Sequence, residues 1–412
     1  MITALRGMHD LLGDRAALYE KIITTCKKVA AKYGYSYIET PKLEYTSLYR
    51  RSVGESSDIV GKEMYEFTDR GGDSVCLRPE GTAGVVRAFL ENRLDRAGGI
   101  HRWYYHGSMF RYERPQRGRQ REFHQFGVEC FGVASVYEDA MLICMANDIL
   151  KELGIKTTLK INSLGDEDSM QNYKATLKKY AMRVSGRLCT DCKRRMATNI
   201  MRILDCKNEG CQAALKTAPI LLDALNDECK NEFKTLQSIL KQAGVRFEVD
   251  PNLVRGLDYY SKTAFEFVSS QIGAQSAVIG GGRYDNLIQN LQGRDTPAIG
   301  WAMGVERIIE ILSLKDEPEE PKQGIYICVL HGNLLPNAFD LASKLRGLNY
   351  KVVLSYDIKA PAKQLAYADK LNARAFMCIG EAEAANGTVW LRDLLSKTDK
   401  KVPIDDIQHE LD

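Results

Sequence analysis

Residues 110–132 read FRYERPQRGRQREFHQFGVECFG. Two β-type runs, HRWYYHGSMFRYE (101–113) and EFHQFGVECFG (122–132), flank a polar tip, RPQRGRQR (114–121), so the stretch reads as a long hairpin. Side chains alternate along a strand, which puts Phe123, Gln125, Gly127, Glu129 and Phe131 on one face. Rings, an amide, a bare glycine and a carboxylate suit a groove floor better than a core stripe, and Gly127 would leave room for a ligand. From Phe123 to Glu129 that floor would run roughly 20 Å. Arg111, Arg114, Arg117, Arg119 and Arg121 surround the tip against a single Glu113. Forked guanidinium contacts suit phosphate, so the hairpin reads as a polyanion site; a solvated tip is the competing reading.

Upstream, Leu18, Ile22, Cys26, Val29 and Tyr33 recur at helical spacing after Asp14, with Gly34 as the stop. YSYIETPKLEY (35–45) is extended, with Pro41 marking an edge or interface position. MYEFTD and SVCLRP read as a second hairpin across Arg70-Gly71-Gly72. Strands in succession with few helices between them point to an antiparallel sheet. Downstream, residues 166–243 are dominated by helical patterns. Strand signals return at AFEFV (264–268) and AVIGGG (277–282), followed by helical YDNLIQNL (284–291) and then PAIGWAMGVERIIEIL, a strand leading into a helix. KDEPEEPKQ (315–323) reads as a linker. Beyond it, IYICVL, KVVLSY and AFMCIG alternate with helices over 336–348 and 361–371, the grammar of a small α/β domain.

The chain has 412 residues, enough for two or three domains, with 44% apolar and 27% charged side chains; that excludes disorder as the main state. The net charge of +3 demands no nucleic-acid partner, so any basic surface must be local. No run approaches the ~20 apolar residues of a membrane span, and the charged N-terminal segment does not fit a signal peptide. Eleven Cys spread over such a length fit reduced thiols in a cytosol better than a disulfide framework. Gly61-Lys62 lies too far from Gly54 for a P-loop, and there is no HExxH and no GxSxG.

Three weaker constellations remain. In LRPEGT (77–82), Glu80 and Thr82 follow a Pro-fixed bend; in LVRGLDYYS (253–261), Arg255, Tyr259 and Tyr260 sit around a Gly. GGGRYDNL (280–287) reads either as a phosphate cradle or as close backbone packing. Cys189, Cys192, Cys206 and Cys211, spaced x2, x13, x4, lie within the range of structural zinc ligands. They fall in 183–216, where eight Lys or Arg face three acids. A zinc-knitted RNA contact is the sharper reading. A helical module with incidental cysteines is the preferred one, because both pairs flank helical patterns.

Taken in order, these peptides resemble class II aminoacyl-tRNA synthetases, and within them the bacterial histidyl-tRNA synthetase branch, over essentially the whole chain. RGMHDLL (6–12) is similar to the branch's opening signature. The helix and strand ending near Pro41 resemble the dimer-forming motif 1, residues 110–132 motif 2, and GWAMGVERII (300–309) motif 3. LVRGLDYY and GGGRYDNL resemble the two histidine-specific peptides.

The resemblance implies an α+β fold. A six-stranded antiparallel catalytic sheet flanked by helices would span 1–165 and 244–314, with a helical insertion at 166–243 and an anticodon-binding α/β domain at 324–412. It implies a cytoplasmic homodimeric ligase that activates L-histidine with ATP and Mg²⁺ and transfers it to the 3′ end of the histidine tRNA. Arg111 and Arg255 would be catalytic at the α-phosphate, with Arg307 on the γ-phosphate, Phe123 stacked on adenine and Glu113 accepting its amino group. Glu80, Thr82 and Gln125 would fix the substrate ammonium; Glu129, Tyr259 and Tyr260 would read the imidazole, and Arg255 would also contact histidine. Arg114 and Gln116 would approach the tRNA acceptor end. Residues 324–412 hold eleven basic and eleven acidic side chains, so RNA binding there rests on the resemblance alone. The rival readings are the non-catalytic regulatory subunit of ATP phosphoribosyltransferase and a class II synthetase for another amino acid.

Overall fold

The computed structural model describes residues 2–54, 57, 59–204, 206–254, 259–272, 277–314 and 322–411. The chain divides into two compact units, Met1–Lys315 and Asp316–Asp412. The strands of the first are β1 Ser36–Tyr37, β2 Leu43–Tyr45, β3 Tyr65–Thr68, β4 Ser74–Leu77, β5 His101–Phe110, β6 Glu122–Phe131, β7 Thr158–Ser163, β8 Glu248–Val249, β9 Ser261–Val268, β10 Ala277–Arg283 and β11 Ala298–Gly304.

The main sheet runs β1-β5-β6-β11-β10-β9-β7-β8. Its six inner strands are antiparallel, as expected, but it is wider than expected. β1 and β8, two residues each, add a parallel pairing at either edge. Segments so short carry no periodicity to read. Helix Gly13–Lys32 buries Leu18, Ile22, Cys26 and Val29 and ends before Gly34, whose positive φ lets the chain turn away. With helices Val136–Glu152, Asp227–Gln242 and Val305–Leu312 it covers one face of the sheet. Phe126, Val128 and Cys130 of β6 enter that core, leaving Phe123, Gln125, Gly127 and Glu129 on the opposite face.

The hairpin β3–β4 turns where Asp69 Oδ1 accepts the N–H groups of Gly71 (2.8 Å) and Asp73 (2.9 Å), and joins β2 in a separate three-stranded sheet. Helices Glu167–Arg183, Thr190–Thr198 and Glu209–Leu215 gather their own apolar core around Tyr173, Leu177, Ile203 and Leu221. The expected helix over 284–291 shrinks to one turn, Leu287–Asn290. The residues before it are drawn elsewhere: Tyr284 donates to Glu129, and Asp285 Oδ1 accepts from the Ala298 N–H (3.0 Å) and Arg283 Nη1 (3.1 Å).

The second unit holds β12 Ile325–Val329, β13 Val352–Leu354, β14 Ala375–Ile379, β15 Thr388–Asp393 and β16 Asp399–Pro403, in the order β13-β12-β14-β15-β16. The first three are parallel, and successive β12 residues alternate between two apolar cores, so both faces are covered. The antiparallel pair β15–β16 was not anticipated: TVWLRD alternates, but DKKVP is too polar to register as a strand. The linker at 315–323 lies largely outside the described residues. No helix among the described residues is long and apolar enough to cross a membrane.

Candidate active site

The uncovered face of β6, β10 and β11 floors a cleft walled by the arginine loop, the bend at Glu80, and Tyr259–Tyr260. Its two ends differ in charge.

At one end lie carboxylates and phenols. The Pro79 bend aims Glu80 at the start of helix Thr82–Glu91, where its carboxylate accepts the N–H groups of Thr82 (2.6 Å) and Ala83 (2.9 Å). Burial raises the Glu80 pKa even though both N–H groups and Arg111 favour the anion. Thr82 links the cleft to the layer beneath: its hydroxyl donates to Glu129 Oε1 (2.7 Å). Glu129, almost wholly buried, also accepts from Tyr105 OH (3.3 Å) and from Tyr284 OH. Burial pushes its pKa to about 8, against three hydroxyl donors that favour the anion. Tyr259 and Tyr260 pack ring to ring (4.7 Å) and line the cleft. Gln125 lines it too; its Oε1 is buried without a hydrogen-bond partner and awaits a donor.

Gly127 does not leave room for a ligand. A Cβ there would lie 2.3 Å from the Tyr105 ring, and one at Gly81 would lie 2.2 Å from the same ring. Both glycines exist for Tyr105, which fills the space cross-strand from Gly127. Gly300 likewise makes way for Glu129, with a built Cβ 1.8 Å from Oε2. In GGGRYDNL, close packing is the correct reading: a Cβ at Gly281 would lie 2.3 Å from Gly300 O, and one at Gly282 2.4 Å from Thr263 O. The peptide's Arg283 is buried against Asp139 (2.6 Å), which fixes Tyr284 in reach of Glu129.

The other end is cationic. Arg111 donates to Pro79 O (2.9 Å) and lies over the Phe123 ring (5.1 Å). Arg119 pairs with Glu113 (2.9 Å), and its Nε is buried without a partner. Arg307, at the start of helix Val305–Leu312, donates to Gly118 O (3.4 Å) and Ala277 O. Burial, with Arg119 and Arg111 nearby, pulls the Arg307 pKa down to about 10. Three guanidiniums thus converge, repelling one another with Glu113 and Glu266 as partial compensation, an arrangement that favours a polyanion.

The five tip arginines part company. Arg111 and Arg119 face the cleft. Arg117 instead pairs with Glu310 (3.1 Å), which also holds Arg15 (3.0 Å), and Arg121 stacks on Tyr112 (3.8 Å). Arg114 and Gln116 are exposed at the tip. Arg255 lies outside the described residues. Sequence reasoning gave no role to Tyr105, Tyr284, Glu266 or Glu306. Glu306 lines the cleft while its carboxylate holds the His124 N–H (2.9 Å) and Nδ1 (2.8 Å). Two of these residues, Tyr284 and Glu306, lie in the family-like peptides; only pairing across the sheet could have assigned them. The four cysteines of the helical region do come together, their Sγ atoms all within 4.8 Å of one another.

An antiparallel sheet that presents a motif 2 hairpin beside a motif 3 strand and helix, with arginines from both meeting in one cleft, defines a class II aminoacyl-tRNA synthetase. Residues 7–308 match the family model for histidyl-tRNA synthetase, and residues 324–412 that for an anticodon binding domain. The histidine–tRNA ligase of Campylobacter fetus subsp. fetus is 58% identical over 411 residues, covering 100% of both chains. That of Sulfurimonas denitrificans is 54% identical over 402 residues, 98% of this chain and 99% of the relative. The solved apo histidyl-tRNA synthetase of S. aureus superposes with a TM-score of 0.83 at 32% identity, covering 100% of this chain and 99% of the other. The chain belongs to the histidyl-tRNA synthetase family.

Proposed function

We propose that the chain is a histidine–tRNA ligase whose cleft joins L-histidine to ATP and then hands the histidyl group to the 3′ end of the histidine tRNA. The observation that carries this is the split polarity of one cleft: three arginines at one end, and carboxylates and phenols at the other.

ATP lies with its phosphates toward Arg111, Arg119 and Arg307, Arg307 taking the γ-phosphate. Phe123 stacks on adenine and Glu113 accepts its amino group. Mg²⁺ bound with ATP would neutralise phosphate charge, and Glu266 and Glu306 on the same lining carry the carboxylate oxygens that would suit it, those of Glu306 once released from His124. Histidine's ammonium meets Glu80, Thr82 and Gln125, whose orphan Oε1 gains a donor. Its imidazole is read by Tyr259, Tyr260 and, through Thr82, Glu129. The histidine carboxylate attacks the α-phosphorus, and pyrophosphate leaves. Arg111, with Arg255 assigned to the opposite side, neutralises the charge that builds on the α-phosphate. In the second step the adenosine hydroxyl attacks the histidyl carbonyl and AMP leaves. Arg114 and Gln116 at the exposed tip meet the acceptor end, and the anticodon binding domain holds the tRNA.

The domain plan follows: a catalytic domain at 1–165 and 244–314, an insertion at 166–243 and the anticodon-binding domain at 324–412. The enzyme works as a homodimer. On the three-stranded sheet, Leu43, Tyr45, Tyr65, Phe67, Val75 and Leu77 share one face by cross-strand pairing, and none is buried; Tyr45 is 59% exposed. An uncovered apolar sheet face beside the motif 1 strand suits a second copy. Eleven unpaired thiols suit the cytoplasm. Amino-acid-dependent ATP–pyrophosphate exchange tests the function. Exchange with histidine and none with other amino acids is expected, and active protein without histidine-dependent exchange would overturn it.

A further inference from the structure

We propose that Cys189, Cys192, Cys206 and Cys211 form a structural zinc(II) site in the helical region. The inference is independent of the cleft. Their Sγ atoms all lie within 4.8 Å of one another, and Cys189 and Cys206 are 3.9 Å apart. Four thiolates at ~2.3 Å around a tetrahedral zinc stand roughly 3.8 Å from each other, so the cluster is already near metal-binding size. It is far from disulfide size, which needs sulfurs at about 2.05 Å.

The backbone is turned toward the sulfurs. The Cys189 N–H donates to Cys211 Sγ (3.1 Å), and the Cys192 N–H to Cys189 Sγ (3.5 Å). Such bonds spread thiolate charge into the peptide frame. Cys192, Cys206 and Cys211 are buried and Cys189 is half-buried, which leaves no open coordination position for a substrate. Among the described residues no other group of three or more His, Cys, Asp or Glu side chains converges this way. Zinc with four thiolates carries two negative charges, and the surplus of eight basic over three acidic side chains in 183–216 offsets them.

Flanking helices argue for the site, not against it. Cys189 and Cys192 bracket the start of helix Thr190–Thr198, Cys211 lies in helix Glu209–Leu215, and Cys206 sits on the connection between them. An all-thiolate set selects zinc over magnesium or calcium, and binding displaces the thiol protons without any redox change. The metal would close the x13 loop and staple a small helical core of which three of the cysteines are part.

The full chain, purified under reducing conditions without chelator, should carry about one zinc per molecule by elemental analysis. Replacement by Co²⁺ should give the intense visible bands of a tetrahedral tetrathiolate site. Cys192→Ser and Cys211→Ser should each cut zinc affinity at least roughly tenfold, while Cys144→Ser, away from the cluster, should not. Should the serine variants fail to fold, the wild-type cobalt spectrum still decides. Folded protein with less than about a tenth of an equivalent of zinc and no cobalt–thiolate bands would overturn the proposal. So would stoichiometric iron in place of zinc.

Discussion

The two ends of the cleft are built on opposite principles. At the carboxylate end both carboxyl groups are answered from within: Glu129 by three hydroxyls, Glu80 by two backbone N–H groups, and their positions by glycines that admit Tyr105 and Glu129. At the arginine end like charges are crowded together. Arg111, Arg119 and Arg307 crowd around Glu113, Arg119 Nε has no partner, and the Arg307 pKa falls to about 10. The first end is a finished template, whose shape can discriminate an amino acid before it arrives. The second holds guanidiniums against one another's repulsion, which a bound polyanion relieves. On the proposed roles, discrimination is part of the fold, whereas catalytic charge works against it.

The largest effect should come from the arginine end. Arg111→Ala is expected to lower the turnover of histidine-dependent pyrophosphate exchange by about 10²–10³, the usual cost of removing one transition-state donor. Its melting temperature should change little, because relief of repulsion with Arg307 offsets the lost bond to Pro79 O. Near-wild-type turnover would remove Arg111 from the reaction. A large drop in melting temperature would erase the contrast between the ends.

The carboxylate end should answer differently. Glu129→Gln is expected to raise the KM for histidine by roughly 10–100-fold, the range for leaving a buried donor or acceptor unsatisfied, while the KM for ATP stays within about twofold. Parallel rises in both constants would mean that Glu129 supports the whole cleft rather than amino-acid recognition.

The same division explains what could be read in advance. Phe123 and Gln125 on the floor, and the core-facing Phe126, Val128 and Cys130, follow from alternation along one strand, whereas Glu129 shares the floor's face but lies beneath the cleft. Arg111 and Arg119 were legible as a charged tip, but not their separation from Arg117 and Arg121, which depends on Glu310 and Tyr112 arriving from elsewhere. Along its own strand Gly127 reads as space for a ligand, because its occupant, Tyr105, lies across the sheet in β5. The cysteine spacing was visible, but that helices can bring four sulfurs to one point is a fact of packing, not of periodicity. Local pattern reveals which face a residue takes; what fills the space opposite is decided by register between distant segments.

A smaller effect, from Tyr284→Phe, sharpens the contrast most finely, since it leaves the Glu129 carboxyl in place and removes one of its three donors. One neutral hydrogen bond is worth about 0.5–1.5 kcal/mol, so the KM for histidine should rise only roughly 2–10-fold. The informative readout is pH. Glu129 titrates near 8 in the folded protein instead of its ordinary 4.5, so between those values the folded state keeps a proton that the unfolded state has released. Its contribution to stability is therefore greatest below pH 4.5 and declines as pH rises toward 8. Glu129→Gln should flatten that decline. Tyr284→Phe should instead carry it to higher pH, because the lost hydrogen bond was one of the influences holding the carboxyl pKa down. Melting temperatures of the three proteins from pH 5 to 9 would separate the cases. Parallel curves for wild type and Glu129→Gln would mean that Glu129 is already ionised in the folded protein, and the carboxylate end would then hold an open charge like the arginines opposite it.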